Sequence, residues 1–485
     1  MFSGGLLRCL ALLILSNRAL SGTFLDEEPG TSAPIPYIIL TEQDGTEEQI
    51  RVLRNILLEE SVPGSLEGLT SERTGLVVFF KATITSVKAE TIASLPGVQD
   101  VAPDKSLEEK EPPSSAPPPL LKPRQESIPI PPPPERPPKP IVVEEEDQAE
   151  AVRPSESIVQ SDAVDELKVV SQPLGVRLQD LKGYAYAVEA GTGVTIYVMD
   201  SGANPRNSTG GGIQEWARMT GTKRFLYVGD VERVRNDPMD HGSCVASKVT
   251  GPAYGTAKNA NLVMVKMPDI VTLSDILTAL VKISDDVHRK RLAGKAVVNI
   301  SMNHVIADND PTSVARHYKL FLVRLMADDI VIVTASGNDV ASGSQDVSTY
   351  PALFGETTDL IVVGAVTRSG TRPKYAQGSG AQLTTSAPGW VTCASGQYNN
   401  ATRKKGNSFA APIVAGVIAV WLSQPEYSRL QVPGQVAANV KAMVKTQSYQ
   451  RAAGGPDVIW NGIDQRRRVC IVGVSLASSF RPFSC

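Results

Sequence analysis

The chain has 485 residues, a length that suggests about three folding units. Its formal net charge is −3, from 48 basic and 51 acidic residues. This balance excludes a strongly basic surface of the kind that binds nucleic acid or anionic membranes.

Residues 1–21 are typical of a secretory signal peptide. An apolar run from Leu6 to Leu15 is interrupted only by Arg8, and Ala19-Leu20-Ser21 supplies the small residues of a cleavage site. The run is too short to span a membrane, and no later stretch approaches about 18 uninterrupted apolar residues. We therefore expect a secreted, extracellular protein with no membrane anchor; an apolar N-terminal strand is the alternative.

Residues 36–104 have the pattern of a small α+β domain. Strands are predicted over 37–41 and 76–82, helices over 47–60 and 86–95, and a last strand after Gly97. A βα(β)βαβ order of this kind is typical of small ferredoxin-like units.

A linker is predicted over residues 105–163. Proline dominates residues 111–140, and acidic residues and serine follow it. Proline has no N–H donor and fixes φ, so this stretch is expected to be extended and solvated. A ligand for a proline-binding partner is the alternative interpretation.

Residues 164–462 have the pattern of an α/β domain, and 463–485 are a C-terminal extension. Continuous apolar strands separated by helices indicate a central parallel β-sheet covered on both faces. Such sheets place their chemistry at the carboxyl ends of strands, and Asp200 lies at such an end. The predicted strands are 194–199, 261–267, 296–301, 330–335 and 360–366, and the predicted helices are 273–292 and 312–326.

Three short segments carry the groups of a serine-nucleophile hydrolase. They are Val198-Met199-Asp200-Ser201-Gly202, Asp240-His241-Gly242-Ser243, and the run 406–412, Gly-Asn-Ser-Phe-Ala-Ala-Pro. A serine hydroxyl needs a histidine to take its proton and a carboxylate to orient that histidine. Taken singly, the acid suits a turn, the histidine a structural role and the small-residue run a packing helix. Together, in the order Asp, His, Ser, the three segments resemble those of the subtilase family, closest to its secreted fungal, proteinase K-like members.

The resemblance implies a subtilisin-like three-layer fold and a peptide-bond hydrolase. Ser408 would be the nucleophile, His241 the general base and Asp200 the group that orients His241. Ser336-Gly337-Asn338 resembles the family segment whose asparagine is an oxyanion donor, so Asn338 is assigned that role with the Ser408 N–H. Pro412 is expected in the first turn of the helix after Ser408. Residues 36–104 resemble the inhibitory propeptide of the family.

Two positions depart from the family pattern. Ser301-Met302-Asn303 stands where subtilases usually carry Ser-x-Gly, in a segment that pairs with the substrate and lines the primary pocket. Ser336 and Gly337 are assigned to substrate binding with it. Asn407 replaces the usual threonine. These departures leave a catalytically weak or inactive subtilase, acting as a binding or surface protein, as the alternative. A lipase or esterase would need the Gly-x-Ser-x-Gly elbow and another triad order.

Four cysteines remain once Cys9 leaves with the signal peptide: Cys244, Cys393, Cys470 and Cys485. They allow three pairings, and a Cys470–Cys485 bond is favoured because it closes a short loop. Cys244, beside His241, is expected to be an inert buried thiol. No CxxC spacing occurs, which argues against structural zinc.

Three sequons suit an exported chain. Asn207 and Asn400 are the glycosylation candidates. Asn299 is not, because it lies within an apolar run where a glycan has no room.

The expected chemistry requires no cofactor, and no metal ligand is assigned. Members of the family often bind structural calcium, but no loop of this sequence is assigned to it. The expected partners are protein or peptide substrates and the chain's own propeptide, acting as an intramolecular inhibitor. We expect a monomer that contacts neither nucleic acid nor membrane.

Overall fold

The structure is a computed structural model that describes residues 33–109, 156–205, 212–229, 231, 233–306, 311–338, 345–397, 401–465 and 469–472. The predicted signal peptide and most of the predicted linker lie outside the described residues. So do the sequons at Asn207 and Asn400, and Cys485.

The elements are numbered in chain order. The strands are β1 (Ile35–Thr41), β2 (Glu67–Thr70), β3 (Val77–Ile84), β4 (Val98–Pro103), β5 (Glu108–Glu109), β6 (Ser157–Gln160), β7 (Tyr184–Ala187), β8 (Thr195–Asp200), β9 (Lys223–Tyr227), β10 (Asn261–Lys266), β11 (Ala296–Ile300), β12 (His304–Val305), β13 (Ile330–Ala335), β14 (Ile361–Val366), β15 (Thr385–Pro388), β16 (Trp390–Ala394), β17 (Ala401–Lys405), β18 (Ser448–Gln450), β19 (Asp457–Ile459) and β20 (Val469–Val472). The α-helices are α1 (Glu47–Glu60), α2 (Ser86–Ala93), α3 (Asp165–Val170), α4 (Gly212–Arg218), α5 (Gly242–Thr250), α6 (Leu273–Lys290), α7 (Pro311–Ala327), α8 (Asn407–Ser423) and α9 (Val436–Thr446).

The first unit is an antiparallel sheet with strand order β2-β3-β1-β4, packed against α1 and α2. Thr46 begins α1 with a capping box, since its hydroxyl accepts from the Gln49 N–H and the Gln49 side chain accepts from the Thr46 N–H. Ile39, Leu53 and Phe80 are buried in the core of this unit. Both predicted helices are present. The sequence predicts a strand between α1 and β3 but not where it begins and ends. The strand found there, β2, has the sequence Glu-Gly-Leu-Thr, which lacks a run of apolar residues.

The second unit is built on one large sheet with strand order β18-β19-β15-β14-β13-β11-β8-β10-β9. Neighbouring strands in it are parallel except the pair β18 and β19. The five predicted strands are all present, with ends displaced by at most one residue.

Helices cover both faces of this sheet. Successive side chains of a strand point to opposite faces, so each apolar strand contributes residues to a core on either side. In β8, Ile196 and Val198 belong to the core that includes α5 and α8, whereas Tyr197 and Met199 belong to the core that includes α6 and α7. The result is the three-layer arrangement expected from continuous apolar strands.

The linker predicted over 105–163 is wrong at both ends. Leu107 is buried, and its N–H donates to Val271 O at 2.8 Å. β5 then pairs antiparallel with β12. At the other end β6 pairs with β7 and with β20 of the predicted C-terminal extension. The reason is that Leu107 and the Ile158-Val159 pair provide apolar side chains for burial, which the overall composition of the segment conceals.

A disulfide joins Cys244 in α5 to Cys393 in β16, with Cα atoms 5.0 Å apart. The expectation of an inert buried thiol at Cys244 is therefore wrong. The two cysteines are 149 residues apart in the sequence, so only the tertiary structure brings them together. The Cys470–Cys485 bond stays a prediction.

Among the described residues no single helix has the length and apolar character to cross a membrane. One sharply bent pair, α8 with Pro425–Gln431, meets those criteria by length and composition alone.

Removing the disulfide should lower the free energy of unfolding by about 2–4 kcal/mol, because the unfolded chain loses a cross-link that closes a long loop. The test variant is Cys244→Ala with Cys393→Ala, compared with the parent by urea unfolding, both carrying Ser408→Ala. A reductant should destabilise the parent and leave the double variant unchanged. An equal urea midpoint for parent and variant would contradict the expectation.

Candidate active site

Asp200 and His241 form a direct pair at the carboxyl end of β8. Asp200 Oδ1 lies 2.8 Å from His241 Nδ1, and the Asp200 side chain is buried. The same oxygen accepts from the Ser201 N–H at 2.8 Å. An ionised carboxylate only accepts hydrogen bonds, so this contact selects the tautomer with the proton on Nδ1 and leaves Nε2 able to accept one.

His241 is the N-cap of α5, and Gly242 directly after it packs closely against Gly202, just beyond the end of β8. A Cβ added at Gly242 would lie 2.0 Å from Gly202 O, so a larger residue would push α5 away from the strand. The small residues around the acid and the histidine therefore allow two backbones to approach closely enough for the pair to form.

A second buried carboxylate, Asp237, lies beside this pair. Its Oδ1 accepts from Ser201 Oγ at 2.7 Å and from the His241 N–H at 3.3 Å, while Oδ2 accepts from the Ser243 N–H at 2.8 Å. Burial raises the pKa of the Asp237 carboxyl, and these donors offset part of that effect. No local pattern assigns a role to Asp237 or to the bridging Ser201, although Asp237 lies four residues before His241 and Ser201 directly follows Asp200.

Ser408 is the second residue of α8 and is buried. Pro412 is the sixth residue of that helix, so its expected place in the first turn is wrong. Because Pro412 has no N–H, the Ser408 carbonyl lacks its usual helical donor. Ser301 Oγ donates to this carbonyl instead, at 2.7 Å.

Asn338 follows β13 and contacts the first turn of α8. Its Nδ2 lies 3.5 Å from Ser408 Oγ, and its Oδ1 accepts from the Asn407 N–H at 2.8 Å. Gly337 has φ of +110°, and a Cβ there would lie 2.3 Å from Gln377 Oε1. This turn therefore requires glycine.

The structure brings the four predicted residues to one place. Asp200 contacts His241 and Asn338 contacts Ser408, while the rings of His241 and Phe409 lie 4.9 Å apart between their centres. Phe409 directly follows Ser408, so this ring contact joins the two pairs.

The predicted substrate-binding residues follow β11 and β13, and Ser301 and Gly337 among them contact the first turn of α8. Ser301, Met302 and Asn303 follow β11 and are buried, and Asn303 Oδ1 has no hydrogen-bond partner among the described residues. Ser336 Oγ donates to Gln377 O at 2.7 Å, and the Ser336 N–H donates to Val363 O at 3.0 Å. Asn299 is fully buried in β11, as expected for a sequon that carries no glycan.

Within the described ranges, no group of three or more His, Cys, Asp or Glu side chains is arranged to hold a metal ion. Structural calcium stays an unassigned expectation.

Residues 191–459 match the family model of the subtilase peptidases. The chain belongs to the subtilase family. Similar curated proteins include subtilisin-like protease 2 of Trichophyton rubrum, 29% identical over 292 residues, and of Arthroderma otae, 30% identical over 295 residues. In both cases the alignment covers 59% of this chain and 63% of the relative, so the chain spans less than two thirds of their length.

A solved structure supports the fold of this subtilase. A mutant of the epidermin leader peptide processing serine protease from Staphylococcus aureus superposes with a TM-score of 0.53. The match covers 84% of this chain and 92% of that chain at 13% sequence identity.

We expect His304 to make the free energy of unfolding of this subtilase sensitive to acid. The residue is fully buried in β12, neither ring nitrogen has a partner among the described residues, and burial lowers its pKa to about 4. An unfolded chain binds this proton near pH 6.5. The free energy of unfolding should therefore fall as pH drops from about 6.5 to 4, by about 3 kcal/mol from this group.

The measurement is urea unfolding at a series of pH values for the parent and for His304→Leu, both carrying Ser408→Ala. The variant should lose that part of the acid sensitivity, whereas the exposed His288→Gln should behave like the parent. Identical pH dependence for the parent and His304→Leu would rule the assignment out.

Proposed function

We propose that this chain is a secreted serine endopeptidase, made as a preproprotein, that hydrolyses peptide bonds with Ser408, His241 and Asp200. The observation that carries the proposal is the 2.8 Å contact between the buried Asp200 carboxylate and His241 Nδ1, formed next to a serine at a helix N-terminus. Family membership supports the reaction type.

In the proposed mechanism, Ser408 Oγ attacks the scissile carbonyl carbon while His241 Nε2 takes the hydroxyl proton. His241 then gives this proton to the leaving amine, and water repeats the attack on the acyl-enzyme. Asp200 accepts the hydrogen bond from Nδ1, which holds the imidazole in its tautomer and stabilises the imidazolium. Burial of Asp200 strengthens this interaction, because little water screens it.

The negative oxygen of the tetrahedral intermediate would be met by Asn338 Nδ2 and the Ser408 N–H. Asn338 Nδ2 already points at Ser408 Oγ, and α8 directs the positive end of its dipole toward the same place. The 3.5 Å separation of these atoms leaves Asn338 Nδ2 free to bind an oxyanion more strongly than the resting hydroxyl.

The first unit is proposed to act as an intramolecular inhibitor. Leu107 and β5 lie between residue 271 and β12, which places the end of this unit beside the segment expected to bind substrate backbone. Asp104 accepts from the N–H and the hydroxyl of Ser274 at 2.9 and 2.8 Å, at the N-terminus of α6. As a strand added to β12, β5 would block access of a substrate to this segment.

Hydrogen bonds and an ion pair between the first unit and the helices α6 and α7 support the proposed inhibitory role. On α6, Asp285 accepts from Ser71 Oγ at 2.5 Å and from the N–H groups of Glu72 and Arg73 at 2.8 and 3.1 Å. An ion pair also joins Arg316 of α7 to Asp100. Acceptors and donors thus face each other across the interface in both directions, with Asp285 on α6 and with Asp104 and Asp100 on the first unit.

The alternative function, a binding protein derived from an inactive subtilase, rested on Asn303 and Asn407. The Asn407 side chain is hydrogen-bonded to backbone groups and leaves the contact between Asn338 and Ser408 intact. No observation favours the alternative over hydrolysis.

The expected result for Asp200→Asn is a loss of about 10⁴ in kcat, because His241 would be held in the wrong tautomer.

Ser408→Ala should abolish both cleavage of casein and shortening of the secreted chain, if maturation is self-cleavage. Asp180→Asn, an exposed acid paired with Arg177, is the matched control and should keep full activity.

Three outcomes separate the alternatives. A shortened but inactive Ser408→Ala chain would show that another protease performs maturation. A folded, processed parent that cleaves nothing would overturn the proposed function. Equal kcat for the parent and Asp200→Asn would overturn the role of Asp200.

Asp285→Ala should weaken inhibition of the mature protease by its first unit roughly 10- to 100-fold, since three hydrogen bonds to one buried carboxylate are lost. The measurement is the inhibition constant of a separately produced fragment of residues 33–109. Asp180→Ala, on the exposed surface, is the control. Unchanged inhibition of the Asp285 variant would contradict the proposed interface.

A further inference from the structure

Asn407, the residue that departs from the family pattern beside Ser408, makes contact with three separate backbone segments. Its Oδ1 accepts from the Ala365 N–H of β14 at 2.6 Å. Its Nδ2 donates to Gly337 O and, at 3.2 Å, to Gln377 O. The side chain is fully buried, so water does not compete for these hydrogen bonds.

The backbone of Asn407 holds a fourth group. Its N–H donates to Asn338 Oδ1 at 2.8 Å. Because that oxygen is taken by a donor, the nitrogen of the Asn338 amide must be the atom that points at Ser408 Oγ. The orientation of Asn338 is thus determined by its contact with Asn407.

We propose that Asn407 is a positioning residue that sets the geometry of both oxyanion donors. This inference rests on the proposed peptidase function. Through Gly337 O it holds the turn that carries Asn338, and through its own N–H it orients the Asn338 amide. Asn407 and Ser408 are the first two residues of α8, so the anchored side chain also locates the Ser408 N–H.

The chemistry of the contacts explains why this position carries an amide. Two backbone carbonyls need donors and one backbone N–H needs an acceptor, and a single asparagine side chain supplies both kinds of group. Threonine offers one hydroxyl donor on a shorter side chain. Aspartate keeps the acceptor but places a negative charge against two carbonyl oxygens.

A displaced donor costs rate without changing ground-state binding, because it acts where charge develops in the transition state. Asn407→Ala should therefore lower kcat about 10- to 100-fold, which is somewhat less than the roughly 10²–10³-fold loss of kcat expected for removing a donor outright. The same variant should change KM by less than about threefold. Asn407→Asp should lower kcat at least as far. Asn407→Thr should retain more activity than either, because it keeps one donor.

The decisive measurement is a double-mutant cycle between Asn407→Ala and Asn338→Ala, read as kcat on a peptide substrate. Because Asn407 acts partly through Asn338 and partly through the Ser408 N–H, its replacement should still lower kcat once Asn338 is gone, but by clearly less than in the parent. Full multiplication of the two effects would overturn the proposal. So would an unchanged kcat in Asn407→Ala.

Asn461 provides the matched control for a structural role. It is also buried, and its Nδ2 donates to Ala185 O at 2.6 Å while its Oδ1 accepts from the Ile463 N–H at 3.1 Å. Asn461→Ala should lower thermal stability and leave kcat unchanged. A fall in kcat for Asn461→Ala equal to that for Asn407→Ala would show that general loosening explains both.

The experiment also separates this inference from the proposed function. If the parent itself does not cleave the peptide, the proposed function fails. If the parent is active and the Asn407 variants keep its kcat, only the inference fails. If Asn407→Ala does not fold, the double-mutant cycle is run with Asn407→Thr instead. The same non-additivity with Asn338→Ala is expected for this variant. Full multiplication of the two effects on kcat would again overturn the proposal.

Discussion

Parallel pairing of neighbouring strands is the constraint on which the site depends. β8, β11, β13 and β14 lie side by side in one direction, so the residues at their carboxyl ends meet along one edge of the sheet. Asp200, Ser301 and Asn338 come from three of these ends. The N-terminus of α8 then contacts three ends at once, through Ala365, Gly337 and Ser301. Ser408 placed there contacts the Asn338 amide, and Phe409 beside it contacts the His241 ring.

Burial of polar groups at this edge makes the arrangement specific. A buried carboxylate is costly unless donors surround it, and Asp200 and Asp237 share Ser201 Oγ as a common donor. The Ser408 carbonyl, deprived of a helical donor by Pro412, obtains one from Ser301. Each of these contacts joins a loop to an element packed elsewhere, so the groups are held in position before a substrate arrives.

The first unit packs on the second through both apolar and polar contacts. Ile38, Leu40, Phe79 and Leu107 are buried in one cluster with residues of α6 and α7, and hydrogen bonds to Asp285 tie a loop of the first unit to α6. The opposite face of its sheet packs on α1 and α2, where Ile39, Leu53 and Phe80 form a second cluster. The first unit therefore has a small core of its own and an interface with the second unit that is partly apolar.

The sequence by itself determined five of the nine described strands of the large sheet, the two helices of the first unit and the candidate residues Asp200, His241, Ser408 and Asn338. It could do so because continuous apolar runs, capping residues and short motifs are local patterns. Only the tertiary structure decided that Cys244 pairs with Cys393, that Asp237 and Ser201 support the acid, and that the Asn407 amide faces away from Ser408. These outcomes join residues 149, 36 and 42 positions apart, for the disulfide, the Ser201–Asp237 contact and the Asn407–Ala365 contact. The partner of a buried polar group is chosen by which backbone packs against it, and no local pattern in the chain carries that information.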